Sequence, residues 1–98
     1  MPATEFGGTV YTSCFSFTAT VDPANHTAVA SVDTDVTAAL VKSGDVVVAV
    51  PPATLEAGIA VQGCHTVANG TFKLRTTNAS AGAINPASAS WTFVVLRR

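Results

Sequence analysis

At 98 residues the chain is a single domain with room for a modest core. Charged residues make up 11% of it and the net charge is −1, whereas an average globular chain carries about 25% charged residues. The cations, Lys42, Lys73, Arg75, Arg97 and Arg98, are too few and too scattered to neutralise a phosphate backbone, so no nucleic-acid partner is expected. The longest apolar run, Val46 to Pro52, is far too short to span a bilayer as a helix, and no membrane partner is expected.

Residues 1–8, MPATEFGG, read as an N-terminal arm ahead of a β domain over residues 9–98. Gly7-Gly8 is a hinge-like break and Phe6 an isolated aromatic in a polar setting. With neither a basic nor an apolar leader region, Met1 is expected to begin a complete product made in the cytoplasm.

Thr9 to Val21 alternates as a first strand, with Phe15, Phe17, Ala19 and Val21 on one face and Cys14 on the other. Asp22-Pro23-Ala24-Asn25 is a turn. His26 to Val36 alternates again, placing Ala28, Ala30 and Val32 on one face and Asp33 and Asp35 on the opposite one. Thr37 to Gly44 is either a helical turn or an irregular loop. Val46 to Val50 is a third strand, stopped by Pro51-Pro52, with Val46, Val48 and Val50 assigned to the core. Ala53 to Gly58 is a short helical turn or extended loop.

Ile59 to Val67 and Thr71 to Thr77 form a hairpin around Asn69-Gly70, a pair that favours a type I′ turn. Strict alternation puts His65 on the face of Ile59 and Val61, and Cys64 opposite. Ser80 to Ser90 is a loop of small residues, and Trp91, Phe93 and Val95 alternate onto one face of the last strand. Short strands with β-branched filling and Gly, Pro and Asn punctuation predict an all-β fold. The architecture expected is a single small antiparallel β-sandwich or jelly-roll-like barrel of about six to eight strands.

The chemistry of a reactive site is sparse. Cys14 and Cys64 allow one disulfide at most and, in a cytoplasmic product, are expected as free thiols. A zinc site from the two cysteines and a histidine fits no known ligand spacing. Asp33 and Asp35 suit either a cation or an acid–base pair, but two solvated carboxylates explain them more simply. The Asn-x-Ser/Thr matches at Asn25, Asn69 and Asn78 are chance matches in a Thr-rich chain. No nucleophile-elbow motif is present. No enzyme activity, metal or cofactor is expected. A surface this poor in charge invites association with copies of itself.

Three pieces carry a family resemblance: TATVDPA at 18–24, GDVVVAVPPATLEAGIAVQG at 44–63 and INPASASWTFVVLR at 84–97. With the turn at Leu40 to Asp45 and the LRTTN segment at 74–78, the chain resembles small virion proteins of tailed bacteriophages. The segment through Cys14, and both cysteines, have no counterpart in that pattern. The resemblance implies a β-sandwich, commonly trimeric, mounted on the capsid exterior as a decoration or cement protein. Its partners would then be the major capsid protein and further copies of itself. The alternative within the same resemblance is a fibre or adhesin module binding a host glycan. The arm residues Met1, Pro2, Ala3, Thr4, Glu5 and Phe6 are the expected capsid or subunit contacts.

Overall fold

The computed structural model of the chain describes residues 10–98. Within them lie six strands and no helix: β1 (Ser13–Val21), β2 (Ser31–Thr37), β3 (Val46–Val50), β4 (Ile59–Ala68), β5 (Thr71–Asn78) and β6 (Ala89–Arg97). They form two three-stranded antiparallel sheets, β1-β6-β3 and β2-β5-β4, packed as a small β-sandwich. The segments around residues 38–44 and 53–58 are turns, not helix.

The core fills the space between the sheets. Trp91, Phe93 and Val95 of β6 meet Phe72 and Leu74 of β5, and all five are almost wholly buried. The Phe72 and Phe93 rings pack edge to face at 5.0 Å, Phe17 lies 5.5 Å from Phe93, and Trp91 stacks on Phe93 at 6.4 Å. Val21, Val36, Ala38, Val41, Val47 and Ile59 complete the buried set. Phe15, Phe17 and Val61, read from alternation as core-facing positions, are half-buried and pack against this cluster.

Several expectations need correcting. β1 starts at Ser13 and β2 at Ser31, later than the alternation suggested. His26 instead makes an isolated bridge to Ile84, and Val29 turns the chain with φ 58° before β2 begins. In β3 the assignment is inverted. Val47 is buried and Ala49 packs against the core, while Val46, Val48 and Val50 are 39%, 48% and 45% exposed. Four of its five residues are valine, so the strand carries no alternation of its own. Its phase comes from pairing, in which Val47 lies opposite Val95 and Ala49 opposite Phe93.

β4 departs from strict alternation because its register shifts twice, between Val61 and Gly63 and between His65 and Ala68. An extra residue in one strand moves every later side chain to the other face. Cys64 therefore packs against the core, opposite Leu74, and His65 points outward, the reverse of the expectation. The second irregularity holds Thr66 at φ 52°, an uncommon conformation for a β-branched residue. At the hairpin tip only Gly70 takes a positive φ, 81°. A type I′ turn requires Asn69 to do the same, so the turn is not of that type.

The register of β3 gives a direct test. In dilute protein, Val47→Ala should lower unfolding stability by about 2 kcal/mol through lost burial, and Val48→Ala by less than about 1 kcal/mol. Urea denaturation measures both, and the opposite order would refute the register.

Candidate association face

The two sheets differ in what they present to solvent. Residues paired directly across antiparallel strands point to the same face. On the outside of the first sheet the pairings therefore build rows: Cys14, Leu96 and Val46; then Ser16, Val94 and Val48; then Thr18, Thr92 and Val50. Thr20 and Ser90 complete the face. No side chain on it is charged. The three valines, with Val94 and Leu96, form an apolar strip along the β3 edge, and hydroxyls cover the β1 side.

The outer face of the second sheet carries the opposite chemistry. Lys73 of β5 donates to Asp35 of β2 at 2.6 Å. Arg75 forks onto Asp33 with Nε and Nη2 at 2.8 and 3.1 Å, and His65 Nε2 lies 3.1 Å from the same carboxylate. Arg75 first, then His65, holds the Asp33 carboxyl well below the usual carboxylate range. Asp35 in turn raises Lys73, and Asp33 raises Arg75. The two carboxylates do share one strand face, as expected from sequence, but both are occupied by cross-strand cations.

Two polar networks close the ends of the sandwich. At one end the Asp45 carboxylate is nearly buried. It takes Arg97 Nε and Nη2 at 3.0 and 2.7 Å and the Lys42 backbone N–H at 2.9 Å. Arg97 also donates to the Leu40 carbonyl at 2.7 Å and lies 5.1 Å above the Phe15 ring. At the other end Asn78 is fully buried. Its Nδ2 reaches the carbonyls of His26, Thr27 and Gly82, and its Oδ1 accepts from the N–H and hydroxyl of Ser80. His26, also fully buried, donates from Nδ1 to the Ala24 carbonyl at 2.8 Å, which leaves Nε2 to accept the Thr76 hydroxyl at 2.7 Å. Both networks satisfy polar groups that burial would otherwise penalise.

Cys14 lies exposed on the first sheet and Cys64 faces the core from the second, so the two thiols stay apart and free. Burial pushes the Cys64 thiol up to about 11. Among the described residues no group of three or more His, Cys, Asp and Glu comes together to hold a metal. An enclosed cleft beside Trp91, lined by Pro23, Pro52, Leu55 and Pro86, has a volume of about 80 Å³, small beside the roughly 300 Å³ at which small-molecule sites begin. A wider, open depression of about 450 Å³ lies over Lys42, Asp45, Arg97 and Arg98, where Asp45 and Arg97 already satisfy each other. No helix among the described residues is long and apolar enough to cross a membrane.

The expected contact residues Met1, Pro2, Ala3, Thr4, Glu5 and Phe6 lie outside the described residues. The candidate that the structure offers instead is the uncharged face of the first sheet. Sequence reading missed it because it placed Val46, Val48 and Val50 in the core; the available signal was the pairing of β3 with β6, whose own alternation is legible. No family model, curated protein or solved structure matches this chain.

The Asp45–Arg97 pair predicts an acid-sensitive term in stability. Arg97 chiefly, and the Lys42 N–H, hold the folded-state pKa of Asp45 below its ordinary value of 3.8. Its contribution is therefore complete above the ordinary carboxylate pKa and is lost as pH falls through the folded value. Asp45→Asn should lower the urea midpoint at neutral pH and flatten its decline as the pH drops from about 5. Parallel acid limbs in wild type and variant would contradict this.

Proposed function

We propose that this chain is a structural virion protein, a capsid decoration or cement protein that binds the outer surface of a tailed-phage head as an oligomer and stabilises the shell. The observation that carries the reading is the uncharged outer face of the first sheet, set against a second sheet whose outer face is laced with ion pairs. An apolar strip beside hydroxyls, without a single charge, is a surface suited to being covered.

The size of that face bears on how it would be used. Two nine-residue strands and one five-residue strand, about 4.8 Å apart with a rise of roughly 3.3 Å per residue, present on the order of 400 Å². A standard stable interface takes roughly 800 Å² from each partner. One such face alone makes a weak contact between copies, and closing a ring of three adds several such contacts together. The joined copies then convert weak contacts with the capsid into firm retention on its repetitive surface, which is how a cement protein works. A homotrimer suits this, because a closed ring repeats one interface around three-fold positions and leaves no copy half-bonded. In this reading the partners are the major capsid protein and two further copies, and the place is the capsid exterior after synthesis in the host cytoplasm. The family resemblance of segments 18–24, 44–63 and 84–97 points the same way. The glycan-binding alternative draws no support from Trp91, the side chain best suited to stack on a sugar, since it is fully buried.

The test is reconstitution. Empty phage heads lacking the protein should retain it on sedimentation and should then resist heat better. Failure of the purified protein to sediment with such heads, under conditions where it remains folded, would overturn the decoration reading.

A further inference from the structure

The tip of the β4–β5 hairpin is an Asn-Gly pair, and its surroundings have chemical consequences. In Asn-Gly the glycine nitrogen meets no Cβ as it swings toward the asparagine side chain. Attack of that nitrogen on Cγ forms a new C–N bond while the bond to the side-chain amide nitrogen breaks. The proton from the glycine nitrogen leaves with that group as ammonia. Water then opens the resulting five-membered imide at either carbonyl, giving aspartate or the isomer whose main chain runs through the side-chain carbon.

Asn69 is exposed, so water reaches it, yet both reacting groups are engaged elsewhere. Gly70 N–H donates to the Val41 carbonyl at 2.8 Å. Asn69 Oδ1 accepts from the Ser43 N–H at 2.9 Å. The Gly70 carbonyl accepts from the Ala38 N–H at 2.9 Å. All three partners belong to the segment between β2 and β3. That segment is itself held: Val41 is fully buried, Asp45 binds the Lys42 N–H, and Arg97 grips both Asp45 and the Leu40 carbonyl.

We propose that Asn69-Gly70 is a latent deamidation site, kept inert in the folded chain by the 38–45 segment and released when the Asp45–Arg97 clamp opens. Cyclisation needs Gly70 N to give up its proton and turn toward Cγ. Donation to Val41 holds that proton and that direction, while Ser43 anchors the carboxamide. The reaction therefore proceeds through a locally opened tip, and its rate is scaled down by the rarity of opening. The products differ in consequence. Aspartate keeps an acceptor for Ser43. The isomer adds a backbone carbon to a two-residue turn and cannot keep the spacing that joins Ala68 to Thr71. The loosened segment leads straight into β3, so ageing of this site would disturb the valine edge of the uncharged face.

The experiment incubates the full-length protein near neutral pH and follows Asn69 by peptide mapping with mass spectrometry and enzymatic isoaspartate detection. Wild type is compared folded and in urea, alongside Asp45→Ala and, as a milder variant that keeps the charge, Arg97→Lys. Conversion in the folded wild type should be slower than in urea by on the order of tenfold or more, since at least two hydrogen bonds must open together. A variant that remains folded by circular dichroism should convert several-fold faster than wild type, and Asp35→Ala, on the far face of the second sheet, should not. Equal rates for wild type folded and in urea would overturn the proposal. So would a wild-type rate in the folded clamp variants, or acceleration by Asp35→Ala as large as theirs.

Discussion

The inward alternation of β6 is the constraint on which the rest of the molecule depends. Trp91, Phe93 and Val95 point into the sandwich because they are the bulkiest apolar alternation in the chain, and their burial outweighs any local preference of the strands beside them. β6 is the central strand of its sheet, so both neighbours inherit its phase. Phe15, Phe17 and Ala19 on one side, and Val47 and Ala49 on the other, face inward as its direct partners. The same alternation turns Val94, Leu96, Val46, Val48 and Val50 outward. The apolar outer face is thus a by-product of how the core is built, and no polar side chain replaces it on the β3 edge.

Charge is sorted along with it. The Asp33, Asp35, Lys73, Arg75 and His65 ladder stays on the second sheet, where exposed ion pairs contribute little to stability but keep that face wet. Asp33 and Asp35 also lie along β2, an edge strand, and the irregularities of β4 disrupt the other edge; both are devices that discourage pairing with another chain. The β1 edge of the first sheet has neither device over nine residues. One sheet presents cross-strand ion pairs on its outer face, and the other presents an uncharged outer face with an unguarded β1 edge.

Much of the fold was legible because strands were punctuated by strong turn residues. Pro51-Pro52, Asn69-Gly70 and the Asp22-Pro23 turn bounded the elements well, and the Trp91–Val95 alternation fixed the central strand. What failed did so for three physical reasons. A run of valines has no internal phase, so β3 could be set only by its partner. Extra residues in β4 reverse the faces downstream, and Gln62-Gly63 offered only a glycine as warning. Lastly, Asn78, His26 and the Asp45–Arg97 pair join residues up to 52 positions apart, and nothing local announces that a loop asparagine or a turn aspartate will be buried. The candidate face was missed for the first of these reasons.

Association through this uncharged face is tested most directly by light scattering across micromolar concentrations, on wild type and on Val48→Asp. Wild type should show the mass of several copies, three in the trimer reading, while the variant, altered only at an exposed position, should keep its β-sheet circular dichroism and fall to monomer mass. A monomeric wild type, or a folded Val48→Asp with undiminished mass, would contradict it.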